Sequence, residues 1–264
     1  MYVRRFVDVQ PSSLRTPVAV IGLPGIANVG RIAVETLTRV LDAEHITDFY
    51  SNDFPPRVFV KDGLTQFPKS SIHLYRAAPD EPHDVLILSA DFQPSSGAGV
   101  FEYADFFVQE LVNMNVKELY ALAAYEQGYE EFFNSYPAQP RTYISASSEE
   151  LLERISAVEG TVTTREGVIN GANGFIPAWA ATMYDMEGAC LLGETLGIIK
   201  LDYRAAKRVL EILASLIGLS AEFESINDNV SQVVQFIEWA RNEISQKGPY
   251  FEGTRESPPD RYIG

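Results

Sequence analysis

The sequence predicts an α/β fold, with a mixed, mainly parallel sheet flanked by helices and a C-terminal helical pair. Short, continuously apolar runs alternate with segments of helical periodicity, the pattern of buried strands joined by crossover helices. Shorter β-like segments between residues 45 and 76 predict additional antiparallel strands. The last third of the chain shows helical periodicity only, which predicts the pair of helices.

Apolar runs at residues 18–21, 84–91 and 118–124 predict the central strands, and glycine-rich turns or helical stripes follow them. The pair Asp62-Gly63 predicts a turn between a strand at residues 57–63 and a strand at residues 71–76. Further along, a strand near residues 141–145 precedes a short helix that Ser147 or Ser148 can cap. The segment GVINGANGFIPAWAATMYDM then runs from a strand through a turn into a helix, and GACLLGET is another strand.

The C-terminal third predicts two amphipathic helices and a tail. Asp202 can cap the first helix, which Gly218 ends. The tail from residue 248 is rich in glycine, proline and charge, so we expect it to be loose. We therefore expect an α/β core over residues 1–200, a helical pair packed on it over residues 201–247, and a loose tail over residues 248–264.

Composition excludes several classes of function. The chain has 36 acidic and 21 basic residues and a formal net charge of −15, which disfavours nucleic acid and anionic membranes as partners. The single cysteine, Cys190, lies in an apolar strand, where an inert buried thiol is expected. There is no signal-peptide pattern and no apolar run of about 18 residues. We expect a cytoplasmic protein that holds no metal and no cofactor.

The stretch VIGLPGIANVGR has the outline of a phosphate-binding loop without completing one. Gly25 and Gly30 have the spacing of a P-loop, but Arg31 and Ile32 replace its lysine and its metal-binding hydroxyl. Two interpretations stay open. The glycines allow a strand and a helix to pack closely, or Gly25, Asn28 and Gly30 bind an anion at the helix N-terminus.

Asp91 and Gln93 are further candidates for ligand binding, because they follow an apolar strand whose carboxyl end is the usual place for a site in α/β folds. The alternative for Asp91 is a role in the turn. The histidines His45, His73 and His83 lack metal-ligand spacing, and no serine-nucleophile motif is present. No nucleophile–base pair is assembled, so we expect the protein not to be an enzyme.

Five segments in order resemble the proteasome assembly chaperone 2 family: VIGLPGIANVGRIAVETL, FPPRVFVKDG, DVLILSADFQP, GANGF and LLGET. The resemblance covers roughly residues 15 to 245. It implies an α/β core similar to nucleoside phosphorylases, without established catalytic residues. It also implies a chaperone-like or scaffold role, with proteasome α-subunits as candidate partners. An amphipathic helical pair commonly completes its burial by symmetric contact, so we expect a homo-oligomer.

Two short motifs bear on this resemblance. Relatives that bind the proteasome often end in a hydrophobic residue, a tyrosine and any residue, and the tyrosine docks between α-subunits. Here Tyr262 is third from last, one position out of register, and it is the candidate partner-binding residue. The segment DMEGA, with Glu187, resembles the stretch with which nucleoside phosphorylases hold a ribose. The alternative function is therefore a nucleoside-like binding protein or an enzyme of phosphorylase-like fold.

Overall fold

The computed structural model describes residues 1–247 and 262–263, with side chains up to residue 243. Its strands are β1 (Tyr2–Arg5), β2 (Val18–Gly22), β3 (Glu44–Tyr50), β4 (Phe59–Lys61), β5 (Leu64–Gln66), β6 (Ser70–Tyr75), β7 (Val85–Ala90), β8 (Glu118–Gln127), β9 (Thr142–Ala146), β10 (Thr161–Thr163), β11 (Val168–Ile169), β12 (Glu187–Leu196) and β13 (Tyr262–Ile263). Its α-helices are α1 (Val29–Val40), α2 (Gly97–Asn113), α3 (Tyr129–Ser135), α4 (Glu149–Ser156), α5 (Ala172–Tyr184), α6 (Tyr203–Ile217) and α7 (Asn227–Lys247).

The main sheet has the strand order β1-β3-β6-β7-β2-β8-β12-β9-β10. Its centre is parallel, because β2 pairs in parallel with β7 and β8, and β8 with β12. Antiparallel strands flank this centre: β6, β3 and β1 on one side and β9 on the other. The predicted mixed sheet is confirmed, including the antiparallel strands from residues 45–76.

Helices cover both faces of the sheet, and the alternation of side chains along β2 shows how. Val18 and Val20 belong to the core cluster that also contains buried residues of α1, α4 and α6. Ala19 and Ile21 point to the opposite cluster, built with α2 and α5. All four side chains are buried, since successive residues of a strand face opposite sides of a sheet.

The C-terminal helical pair is present. The Asp202 carboxylate accepts a hydrogen bond from the Ala205 N–H at 2.9 Å and caps α6, and Gly218, with φ of +64°, ends it, as predicted. α6 packs against α1 and β12, whereas α7 buries Val233 and Ile237 against aromatic residues at α3. Within residues 1–247, no helix is long and apolar enough to cross a membrane.

One hairpin stands apart from the main sheet. Asp62 and Gly63 have φ of +51° and +78°, the left-handed pair that a two-residue hairpin turn requires. This turn joins β4 to β5, and β6 instead pairs with β3 and β7. The prediction that the turn leads into the strand at residues 71–76 is therefore wrong. Residues 57–67 are all exposed, which a core strand would not be.

Candidate functional site

The glycine-rich stretch brings strand and helix into backbone contact. Gly22 ends β2, and Gly30 lies in the first turn of α1. A Cβ at Gly22 would lie 2.1 Å from the Gly30 carbonyl oxygen, and a Cβ at Gly30 would lie 2.0 Å from the Leu122 carbonyl oxygen of β8. Side chains do not tolerate such distances. The geometry therefore supports the close-packing interpretation at these two glycines.

The loop between them is tied to the segment that precedes α6. Ala27 and Asn28 have φ of 49° and 51°, the left-handed region that asparagine tolerates and alanine adopts rarely. The Ala27 carbonyl accepts a hydrogen bond from the Asp202 N–H at 2.9 Å. The Asn28 amide donates to the Lys200 carbonyl at 3.3 Å. These bonds hold the turn, and anion binding by Gly25, Asn28 and Gly30 stays a prediction.

Two side-chain amides fasten the same loop to the start of α5. The Gln93 Nε2 donates to the Pro24 carbonyl at 2.6 Å, and its Oε1 accepts from the Ala172 N–H at 2.7 Å. Buried Asn173 accepts from the Leu23 N–H at 2.9 Å and donates to the Leu23 carbonyl at 3.2 Å. Gln93 thus lies beside the loop, as a crevice residue would. Sequence reasoning missed Asn173, although it lies within the GANGF segment.

Asp91 follows β7 directly and pairs with the chain before β6. Its N–H donates to the Lys69 carbonyl, and its carboxylate accepts from the Lys69 N–H, both at 2.9 Å. It borders a cavity of about 250 Å³ lined by Glu35, His45, Lys69, Ser71, His73, Ser89, Ala90 and Asp91. Pockets for drug-sized ligands begin at about 300 Å³. The contacts fit the turn role of Asp91, and ligand binding there stays a prediction.

A buried polar cluster lies beside this cavity. The Asp48 carboxylate accepts hydrogen bonds from Lys69 Nζ at 2.7 Å, Ser71 Oγ at 2.6 Å and His45 Nε2 at 2.7 Å. Burial raises the pKa of Asp48, but these donors outweigh burial and hold the pKa below its ordinary value. The Asp48 carboxylate is therefore an anion whose negative charge is stabilised by these three donors.

The register of β3 and β6 places His45 opposite His73, and their rings stack with centroids 4.9 Å apart. Burial, together with the nearby charges of His45 and Lys69, lowers the pKa of His73 to about 4. His73 is therefore neutral near pH 7. No local pattern in the sequence indicates this pair, because residues 45 and 73 meet only through strand register.

Glu187 and the glycine loop lie at opposite ends of the parallel strands. In the parallel register Glu187 is opposite Glu118, and Glu118 is opposite Val18, the first residue of β2. The loop follows the last residue of β2. The Glu187 carboxylate accepts a hydrogen bond from Ser148, the residue that caps α4. The phosphorylase-like motif and the glycine loop therefore do not form one site.

Cys190 is buried in β12, and burial raises the pKa of its thiol to about 12. The thiol donates weakly to the Asn173 carbonyl at 3.8 Å. It is therefore protonated at neutral pH, as an inert thiol would be. Among the described residues, no three or more His, Cys, Asp or Glu side chains come together as a metal site would require.

An open groove of about 1160 Å³ lies between the outer strand pair β1–β3 and the β4–β5 hairpin. We call it the basic groove. Its lining combines aromatic and apolar side chains with cations, among them Tyr2, Arg4, Phe6, Asp48, Tyr50, Phe54, Arg57, Val58, Phe67 and Lys69. Phe67 is 71% exposed. Exposed apolar surfaces of this kind mark interaction sites.

Another exposed apolar patch lies on α7, where the rings of Phe236 and Trp239 lie 5.8 Å apart and Trp239 is 58% exposed.

Near the far end of the chain, β13 (Tyr262–Ile263) pairs in parallel with β11, and Ile263 is opposite Tyr125 of β8. The side chain of Tyr262 and the rest of the predicted loose tail lie outside the described residues.

Comparison with known proteins identifies relatives both by sequence and by structure. The uncharacterized protein MJ1210 of Methanocaldococcus jannaschii is 27% identical over 99% of this chain and 96% of its own. Pyrococcus furiosus PbaB, described as an archaeal proteasome activator, is 24% identical in sequence, and its crystal structure matches with a TM-score of 0.80 over 91% of this chain and 98% of the PbaB chain.

Pyrococcus furiosus PbaA, described as an archaeal homolog of proteasome-assembly chaperone, is 23% identical in sequence and matches with a TM-score of 0.68. That match covers 93% of this chain and 99% of the PbaA chain. At these identities the two structures show a shared fold. The sequence itself matches the PAC2 family over residues 19–238, which is most of its length. The chain therefore belongs to the PAC2 family.

Proposed function

We propose that the protein is a non-catalytic, chaperone-like or scaffold protein of the cytoplasm that binds other protein subunits, proteasome α-subunits among them. The observation that carries this proposal is the shared fold with PbaB, which extends over 91% of the chain. PbaB is described as a proteasome activator and PbaA as a homolog of proteasome-assembly chaperone. Membership in the PAC2 family supports the same role.

The surface of the molecule supports binding to proteins more than to a small molecule. The basic groove is open and carries exposed aromatic side chains, whereas the cavity beside Asp91 has a volume of only about 250 Å³. Aromatic and arginine side chains dominate the energetics of protein interfaces. Surfaces of this composition therefore suit a scaffold.

We propose that Tyr262 anchors binding to proteasome α-subunits. The test is a pull-down of recombinant α-subunits with the full chain, a version ending at Lys247, and the single variants Tyr262→Ala and Arg261→Ala. Retention by the full chain and Arg261→Ala, with loss in the other two, supports docking through the tyrosine. Equal retention by all four places binding on the folded domain, and no retention by the full chain refutes α-subunit binding.

The non-catalytic proposal has its own test, because the DMEGA motif offers a phosphorylase alternative. A panel of nucleosides is incubated with phosphate and the protein, and release of free base is followed by chromatography. We expect no turnover, because Glu187 and the glycine loop are far apart. Glu187 lies at the amino end of the parallel strands, and the glycine loop follows the carboxyl end of β2. Turnover that disappears in Glu187→Ala would establish the enzyme instead.

We also propose a homo-oligomer that buries the exposed patch on α7. Trp239 is the most exposed aromatic side chain of that helix among the described residues. Light scattering at micromolar concentration should give a mass well above the 29.4 kDa of one chain. Trp239→Ser should lower that mass, while Gln235→Ser, an exposed polar position on the same helix, should not. A 29 kDa species for the unaltered protein contradicts the proposal.

A further inference from the structure

The charge of the basic groove is opposite to that of the molecule. The chain has a net charge of −15, yet the groove lining contains three cationic side chains, Arg4, Arg57 and Lys69. Its acidic lining residue is Asp48, whose carboxylate already accepts three hydrogen bonds. Lys69 forms an ion pair with Asp48 at 2.7 Å. The two arginines therefore set the charge that a bound molecule would meet.

Aromatic rings hold both arginines without neutralising them. The Arg4 guanidinium carbon lies 4.9 Å from the centre of the Phe6 ring, and that of Arg57 lies 5.1 Å from the centre of the Phe92 ring. Phe92 in turn stacks on Phe59 of the hairpin at 5.8 Å. Among the described residues, neither guanidinium forms an ion pair. Stacking orders a guanidinium and leaves its N–H groups free for a carboxylate.

The groove includes side chains of an end strand of the main sheet, β1. Among the described strands, β1 pairs only with β3, so its outer backbone edge is available to another extended segment. Tyr2 and Arg4 of this strand line the groove, as does Phe6, which directly follows the strand. A segment added to an edge strand gains backbone hydrogen bonds, and its alternate side chains enter the neighbouring pockets.

We propose that the basic groove binds an extended, acidic segment of a partner protein, which adds to β1 and places carboxylates on Arg4 and Arg57. The apolar side chains of the same segment would contact Tyr2 and the exposed Phe67, which directly follows the hairpin. This proposal rests on the protein-binding role proposed above and assigns it a surface separate from Tyr262.

The composition of the groove favours this occupant over two others. A two-fold contact between grooves of two copies would bring Arg4 and Arg57 of both copies into one interface, and like charges there are unfavourable. A nucleic acid would meet two free guanidinium groups on a molecule of net charge −15, which opposes binding to phosphates. An acidic peptide carries fewer charges and supplies apolar contacts.

The test measures fluorescence anisotropy of a labelled synthetic peptide in which glutamate alternates with valine and phenylalanine. We expect binding to the full-length protein that weakens as salt is added, because exposed ion pairs are screened. The double variant Arg4→Glu/Arg57→Glu should weaken binding by about tenfold or more. A peptide with lysine in place of every glutamate should not bind.

The matched control is Lys117→Glu/Arg165→Glu, which makes the same change in net charge at exposed positions outside the groove lining. It should bind the acidic peptide like the unaltered protein. Equal weakening by both double variants, or stronger binding of a single-stranded oligonucleotide than of the peptide, overturns the proposal. A groove variant that instead lowers the light-scattering mass assigns the groove to a second copy. Retention of α-subunits without peptide binding refutes the groove and leaves the proposed function standing.

Discussion

Replacing Gly30 with alanine has two opposing effects on the free energy of unfolding. Within a helix, alanine is favoured over glycine by about 1 kcal/mol. At this position, however, the new Cβ would lie 2.0 Å from the Leu122 carbonyl oxygen, whereas ordinary contact begins at 3.4 Å. Helix and strand would have to separate by about 1.4 Å, the difference between those two distances.

The steric effect should win. Overpacking an interior costs about 1–3 kcal/mol and occasionally more. Here the atom that must move is a backbone carbonyl of central strand β8, which cannot rotate away as a side chain would. Because a backbone carbonyl must move, we take the upper end of that range, about 3 kcal/mol, and subtract the gain of about 1 kcal/mol in helix propensity. We therefore expect Gly30→Ala to lower the free energy of unfolding by about 2 kcal/mol.

Gly97 provides the matched control, because it lies in the first turn of α2 and a Cβ there meets nothing within 4 Å. Gly97→Ala should leave stability unchanged or raise it by up to about 1 kcal/mol. Urea unfolding followed by far-UV circular dichroism compares the two variants with the unaltered protein. A Gly30→Ala midpoint equal to or above that of Gly97→Ala, at equal slope, would refute the argument for backbone contact.

Two further predictions concern buried polar groups. Asp202→Ala should lower the free energy of unfolding by about 2 kcal/mol or more, because it removes the cap of α6 and the acceptor of the Thr195 hydroxyl. Asp202→Asn should lower the free energy of unfolding by less, and urea unfolding measures both variants. Stability should fall as pH falls from about 6.5 to about 4, since the unfolded chain takes up a proton there that folded His73 does not. His73→Phe should flatten that slope in urea titrations across pH, and an unchanged slope would exclude His73 as its cause.

The fold could be predicted from the sequence because its central strands are continuously apolar and its helices carry strong stripes. Segments without such a signal were missed. β1 (Tyr2–Arg5) is mostly exposed and carries two arginines. α3 (Tyr129–Ser135) has two acidic residues in its first turn and one buried side chain, Phe132. Their structure depends on pairing with β3 and on packing against α7, and neither contact is readable from local pattern.

The candidate site was predicted less completely, for a physical reason. The glycines of the loop are visible in the sequence, but the atoms that require them, such as the Leu122 carbonyl oxygen, lie far along the chain. The bonds from Gln93 to Pro24 and to Ala172 likewise join three distant segments. The sequence therefore suggested a crevice, and only the fold indicates which side chains fill it.

The way this crevice is filled bears on where the protein interacts. In α/β folds, ligands commonly bind beyond the carboxyl ends of the parallel strands. Here the loop at that position is fastened by hydrogen bonds that Gln93, Asn173 and the Asp202 N–H donate to it, and Gly22 lies against the backbone of α1. A ligand there would have to displace bonds that the chain already makes, at a cost of about 1–3 kcal/mol for each buried group left unpaired. The basic groove requires no such exchange, because its arginines form no ion pairs among the described residues. This difference favours interactions at the outer strands over chemistry at the glycine loop.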